Sequence, residues 1–75
     1  MTSAKDIRIL AALDQLGEAP ACETSRRARV HIDLAHPVLN RLVAEGAVTR
    51  RWQTEDERGT APRRRLYRLA DRADM

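Results

Sequence analysis

The chain has 75 residues and a mass of 8.5 kDa, which leaves room for one small domain over residues 1–75 and for a thin core, not for a deep substrate cavity. Hydrophobic residues make up 43% and charged residues 33%, which excludes wholesale disorder; aromatics are 3%, Trp52 and Tyr67, so Leu, Ile, Val and Ala must build the core. Fourteen basic residues against 11 acidic give a net charge of +3, and every basic residue but Lys5 is Arg, whose planar fork suits phosphates and guanine edges.

Ser3 and Asp6 resemble a capping box, and Ile7, Leu10, Leu13 or Ala11, and Leu16 follow at helical spacing. A first helix is predicted from Ala4 to Leu16, with Gly17 as its stop and Ile9 and Ala12 widening its apolar face. Glu18-Ala19-Pro20 reads as a connector, with Pro20 at the start of the next helix. That helix, Ala21 to Arg29, turns Cys22 or Ala21, Ser25 and Ala28 inward, and Glu23, Arg26, Arg27 and Arg29 outward. After a brief turn at Val30-His31-Ile32, Asp33 is the expected N-cap of a third helix running to Glu45 and stopped by Gly46. Pro37 falls about one turn into it, where few backbone bonds exist to lose; alternatively the regular helix starts at Pro37 with His36 as its cap.

Beyond Gly46 the period changes to two. Val48, Arg50 and Trp52 point one way and Thr49, Arg51 and Gln53 the other, which predicts a strand. A polar loop from Glu55 to Pro62 leads to a second strand, Arg63 to Leu69, with Arg65, Tyr67 and Leu69 on one face. Ala70 to Met75 reads as a short tail with room for one helical turn. The predicted fold is mainly α with a small β-hairpin: a winged helix-turn-helix of three helices and a two- or three-stranded wing. Leu10, Leu13, Leu39, Leu42, Val48 and Leu69 are expected to be buried together.

The stretch His36-Pro37-Val38-Leu39-Asn40-Arg41-Leu42 leading to Glu45-Gly46-Ala47-Val48 resembles the PadR-like winged-helix family of bacterial transcriptional regulators. Trp52 sits where that family often places a Trp in its first wing strand. Pro62-Arg63-Arg64-Arg65-Leu66-Tyr67-Arg68-Leu69 is similar to its second wing strand, and Ile9-Leu10-Ala11-Ala12-Leu13 to its opening helix. His36 stands in place of the usual Tyr, Asn40 in place of a frequent His, and the second helix lacks the family's His-Gly-Tyr start. The resemblance is to a short form without the C-terminal dimerisation helices. It implies a regulator that binds double-stranded DNA; a homodimer on DNA is expected separately, because one winged helix reads only a short stretch of base pairs and a two-fold pair doubles it.

With Ala35, Val38, Leu39 and Leu42 facing the core, Asp33, His36, Asn40 and Ala44 line the opposite side of the third helix and Arg41 its flank. Asn can pair with adenine, and His and Arg can reach guanine, so Asp33, His36, Asn40 and Arg41 are the candidate base readers. Arg26, Arg27 and Arg29 on the second helix, and Arg50, Arg58, Arg63 and Arg64 in the wing, are candidates for the phosphate backbone. Against these stand plainer readings: solvated helix faces, an acidic Glu55-Asp56-Glu57 stretch that repels phosphate, and Arg65 and Arg68 serving a salt-bridge network between the strands. Trp52 is expected to pack across the hairpin on Tyr67 or Leu66; left exposed, it points to an interface. Ile9, Ala12 and Met75 are the candidate dimer surface.

No apolar run approaches the roughly 20 residues of a membrane span, and no secretory leader pattern is present. Cys22, with no second cysteine to pair with, fits a reducing cytoplasm and is expected to be a small buried residue. Its spacing from His31 and His36 is not that of a zinc finger, and no glycine-rich phosphate loop occurs, so neither metal, cofactor nor enzyme activity is expected. No effector is legible. The competing function class is a winged helix used for protein contact, as a small subunit or an inhibitor of another machine.

Overall fold

The computed structural model describes residues 3–59 and 61–70. Helix α1 spans Ala4–Leu16 and begins with the expected capping box: Ser3 Oγ accepts from the Asp6 backbone N–H at 3.2 Å, and Asp6 Oδ2 accepts from the Ser3 N–H. Gly17, at φ 78°, ends it in a conformation that residues with a Cβ rarely adopt. The connector is then a strand, β1, Glu18–Pro20. Three residues are too few for alternation to show in a sequence, and a partner 48 residues downstream supplies the pairing.

Helix α2 covers Ala21–Ala28, with Pro20 as its N-cap and not its first residue. Thr24 Oγ1 donates back to the Pro20 carbonyl, and Ser25 Oγ donates to the Val30 carbonyl across the turn. Arg29 lies outside the helix, in the left-handed region at φ 58°. Ala21, Thr24, Ser25 and Ala28 face inward; Cys22 is exposed, which corrects the expected burial. The choice between Ala21 and Cys22 turns on where the helix begins, and Pro20 sets that one residue before Ala21.

Helix α3 spans Ile32–Ala44. Its N-cap is His31, not Asp33: His31 Nδ1 accepts from the Asp33 N–H at 3.1 Å, and its carbonyl accepts from Leu34 and Ala35. Asp33 instead lies in the first turn, where a carboxylate favours the positive end of the helix. Pro37 is inside the helix and has no N–H to offer the Asp33 carbonyl; both residues are exposed, so water can take that acceptor. Strand β2 is Val48–Trp52, a short helix α4 follows at Glu55–Arg58, and strand β3 is Arg65–Leu69.

The three strands form one antiparallel sheet in the order β1-β3-β2. Val48 stands opposite Leu69, Arg50 opposite Tyr67 and Trp52 opposite Arg65, while Ala19 of β1 flanks Tyr67 on the other side. That row is the inner face of the sheet. At one end Val48, Ala19 and Tyr67 close over the helices; at the other Arg50, Trp52 and Arg65 run past the core into solvent. The ladder extends by Ala70 donating to the Ala47 carbonyl and Gln53 to the Arg64 carbonyl. This is the expected winged helix-turn-helix, with a three-stranded wing.

Leu13, Leu39, Leu42 and Val48 are buried together as predicted, whereas Leu10 and Leu69 are only partly buried against them. Ile9 and Ala12, 0% and 3% exposed, belong to this core. They are therefore not a dimer surface: α2, α3 and β3 all pack on α1 and use the wider stripe. Met75, the third residue of that candidate patch, lies outside the described residues, as does the tail beyond Ala70.

One ion pair ties the first helix to the third. Asp6, 2% exposed, bonds the Arg41 guanidinium, which also reaches Glu45 one turn along at 3.1 Å. Burial alone would raise the Asp6 carboxyl, but the hydrogen bonds from Arg41 and Ser3 outweigh it and hold it below the usual carboxylate range. Leu39, at the centre of the core, is the most telling position for packing: Leu39→Ala is expected to destabilise the domain by about 2–5 kcal/mol, read as a lowered urea midpoint at unchanged slope.

Candidate nucleic-acid interface

The exposed side of α3 and the inner face of the wing meet along an open groove of about 470 Å³. His36 and Asn40 of α3 form one wall, with Ile32 below them. Trp52, Arg64 and Arg65 form the other, Cys22 and Ala21 of α2 close one end, and Tyr67 lies at the floor. The groove follows from two periods. Positions three and four apart put His36 and Asn40 on one helix face, and positions two apart put Arg50 and Trp52 on the same sheet face.

Of the four predicted base readers, the structure brings His36 and Asn40 together in the groove. Asp33 is exposed one turn earlier on the same side, with a carboxylate oxygen 3.7 Å from His31 Nδ1. Arg41 lies apart. Its guanidinium is held by Asp6 and Glu45, whose hydrogen bonds raise its already high affinity for the proton. The role of Arg41 in these contacts is to join helices.

The backbone candidates divide in the same way. Arg26 and Arg29 are exposed beside Cys22, Val30 and His31, next to the start of α3. Arg27 points away, donating its Nε–H to Gln15 of α1 at 2.7 Å. In the wing, Arg50 crosses to α3 and donates to Asn40 Oδ1 at 3.0 Å. Arg64 reaches the groove, with Nη1 3.9 Å from Cys22 Sγ. Arg58 folds back on its own loop, donating to the Ala61 carbonyl, and Arg63 lies 3.7 Å from Glu55.

Three features were not read from the sequence. The first is α4, closed by a second capping box in which Thr54 Oγ1 accepts from the Glu57 N–H and Glu57 accepts from the Thr54 N–H. Its signature, Thr-x-x-Glu at Thr54 to Glu57, stands in the sequence. The second is the pairing of Trp52 with Arg65, whose guanidinium carbon sits 4.8 Å from the ring centroid. Trp52 is 53% exposed and shares the inner face of the sheet with the buried Tyr67, whereas Leu66 turns to the opposite face and is out of its reach.

The third is Arg51, which engages all five of its N–H donors. It grips Glu18 with Nε and Nη2, Glu57 with Nη1 and Nη2, and the Trp52 carbonyl with Nη1. The cross-strand network expected of Arg65 and Arg68 is thus built on Arg51, and among the described residues neither Arg65 nor Arg68 forms an ion pair. One consequence concerns the acidic stretch. Glu57 faces the outer side of the sheet and is neutralised there, while Arg63 lies near Glu55, so two of the three carboxylates at the wing tip have cationic neighbours.

Neither a family model nor a curated protein matches the chain. Among solved structures it is similar to Stf76 from the Sulfolobus islandicus plasmid-virus pSSVx, with a TM-score of 0.73 and 21% identity over 93% of this chain and 86% of that chain. At this level of identity the two share a fold. The PadR-like resemblance rests on the residues quoted for it. No helix among the described residues is long and apolar enough to cross a membrane.

Arg51 and the Thr54 backbone hold the Glu57 carboxyl down at about 2, against an ordinary value of 4.5. A carboxyl whose folded value is depressed contributes stability that is complete above 4.5 and is lost as the pH falls towards 2. Glu57→Gln is therefore expected to be less stable than the parent at pH 6 to 7. The gap between the two proteins should close between about pH 4.5 and pH 2, followed by urea denaturation across that range.

Proposed function

We propose that this protein binds double-stranded DNA in a sequence-dependent way and acts as a small transcriptional regulator. The observation that carries the proposal is the shared groove: the exposed polar face of α3 opens on the same side as the wing residues Arg64 and Arg65. In such a docking α3 lies in the major groove, His36 and Asn40 face base edges, and Arg64 and Arg65 meet the flanking backbone. Arg26 and Arg29, beside the start of α3, lie within reach of the phosphates next to it. The PadR-like resemblance supports the same reading.

Two copies on one site are part of the proposal. A single winged helix reads only a short stretch of base pairs, and a two-fold pair doubles it, with half-sites about one helical turn apart. The exposed Trp52 favours a second reading, in which the groove takes a protein partner. The two differ in their response to salt, because phosphate contacts release counterions and protein docking through an aromatic patch does not.

The chain is expected to bind mixed-sequence duplex with an affinity that falls linearly as the logarithm of salt rises. Arg29→Ala and Arg64→Ala should weaken all duplexes alike and flatten that slope by about one unit per lost phosphate contact. His36→Ala should instead relax sequence preference, by roughly 1–3 kcal/mol of discrimination at one position. Anisotropy titrations at several salt concentrations give both readings. Sedimentation with a selected duplex gives the stoichiometry. Binding that ignores salt, or no binding to duplex, would favour the protein-partner reading.

A further inference from the structure

Asn40 has a single side-chain acceptor atom, Oδ1, and Arg50 Nη1 donates to one of its two lone pairs at 3.0 Å. A guanidinium has donors only, so the amide must turn its oxygen to Arg50. To pair with adenine an Asn needs that same oxygen to accept from N6 while its NH₂ donates to N7. In this fold the bond to Arg50 fixes which way the amide turns and takes one of the two lone pairs of its oxygen. The Cα of Arg50 stands opposite Tyr67 on the inner face of the sheet, so its stem leaves the wing towards α3. Its exposed head is tethered on the helix surface that carries His36. Only one N–H of Nη1 is used. The edge formed by Nε and Nη2 is unoccupied among the described residues, and such an edge matches O6 and N7 of guanine.

We infer that Arg50, a wing residue, is a guanine reader, and that Asn40 is its positioning residue. This rests on the DNA-binding reading above. An untethered arginine would have to give up rotamer freedom on binding; one already fixed by Asn40 loses less. The base-reading surface is then shared between helix and wing. Arg51, its neighbour in sequence, faces the other side of the sheet with every donor engaged, so alternation alone separates the reader from the clamp.

The test uses the full chain and duplexes selected from a random pool, followed by competition between duplexes that differ at one G·C pair. The parent should prefer guanine at a defined position. Arg50→Ala should lower that preference roughly 5- to 150-fold, the equivalent of one bidentate contact, and leave other positions unchanged. Arg50→Gln should lose it too, which guards against a folding defect in the alanine variant. Asn40→Ala should weaken the same guanine preference. Asn40→Asp, which keeps an acceptor for Arg50, should retain the guanine ratio while lowering affinity for every duplex. A selected site that survives both Arg50 variants overturns the inference and leaves DNA binding intact, as does salt-dependent binding with no base preference. Asn40→Ala behaving as the parent overturns the positioning role. Failure of the parent to bind duplex removes the underlying reading and the inference together.

Discussion

The fold depends on β3 holding a strand on each edge. Its partners come from separate parts of the chain, β1 between α1 and α2 and β2 after α3, and a central strand must satisfy both. Tyr67 shows what that achieves. With Ala19 on one side and Arg50 on the other, it is buried against the helices, and the wing becomes part of the core. A hairpin alone is marginal in water, whereas a third strand and a helical layer make it stable. The groove exists because that sheet is longer than the layer it covers.

The arginines divide along the same geometry. Arg41 and Arg51 spend their charge inside the molecule, the first joining α1 to α3 and the second joining β1, β2 and α4. Arg27 turns to α1. What remains is a smaller set, Arg64 and Arg65 in the groove, Arg50 tethered to Asn40 on its wall, and Arg26 and Arg29 beside the start of α3, and the acidic wing tip is largely offset by its own neighbours. Net charge is thus a poor guide to the face that attracts a polyanion, and the distribution of unpaired guanidinium groups is a better one.

Much of the architecture was legible because its signals are local. The capping box at Ser3, the stops at Gly17 and Gly46 and the change of period at Val48 each act within a few residues. Strand β1 was hidden because its partner is remote, and so was the depth of Ile9 and Ala12, which depends on how many layers pack on α1. In the site, periodicity placed His36 and Asn40 on one face correctly. It gave no access to Arg41 meeting Asp6 across 35 residues, nor to the mutual bond of Asn40 and Arg50. The helix α4 is a different case: its capping residues were in plain sight, and the run of acidic side chains masked them.

The pairing of Glu18 with Arg68 also bears on how the chain folds. Helices α1, α2 and α3 all precede β3 in the chain, yet the inner face they present lacks Tyr67 and Leu69 until β3 pairs. Helix contacts of this kind form locally and fast, while the sheet has to wait for a contact that spans most of the sequence. A chain cut within the wing therefore exposes an apolar helical surface and an unpaired β2 edge.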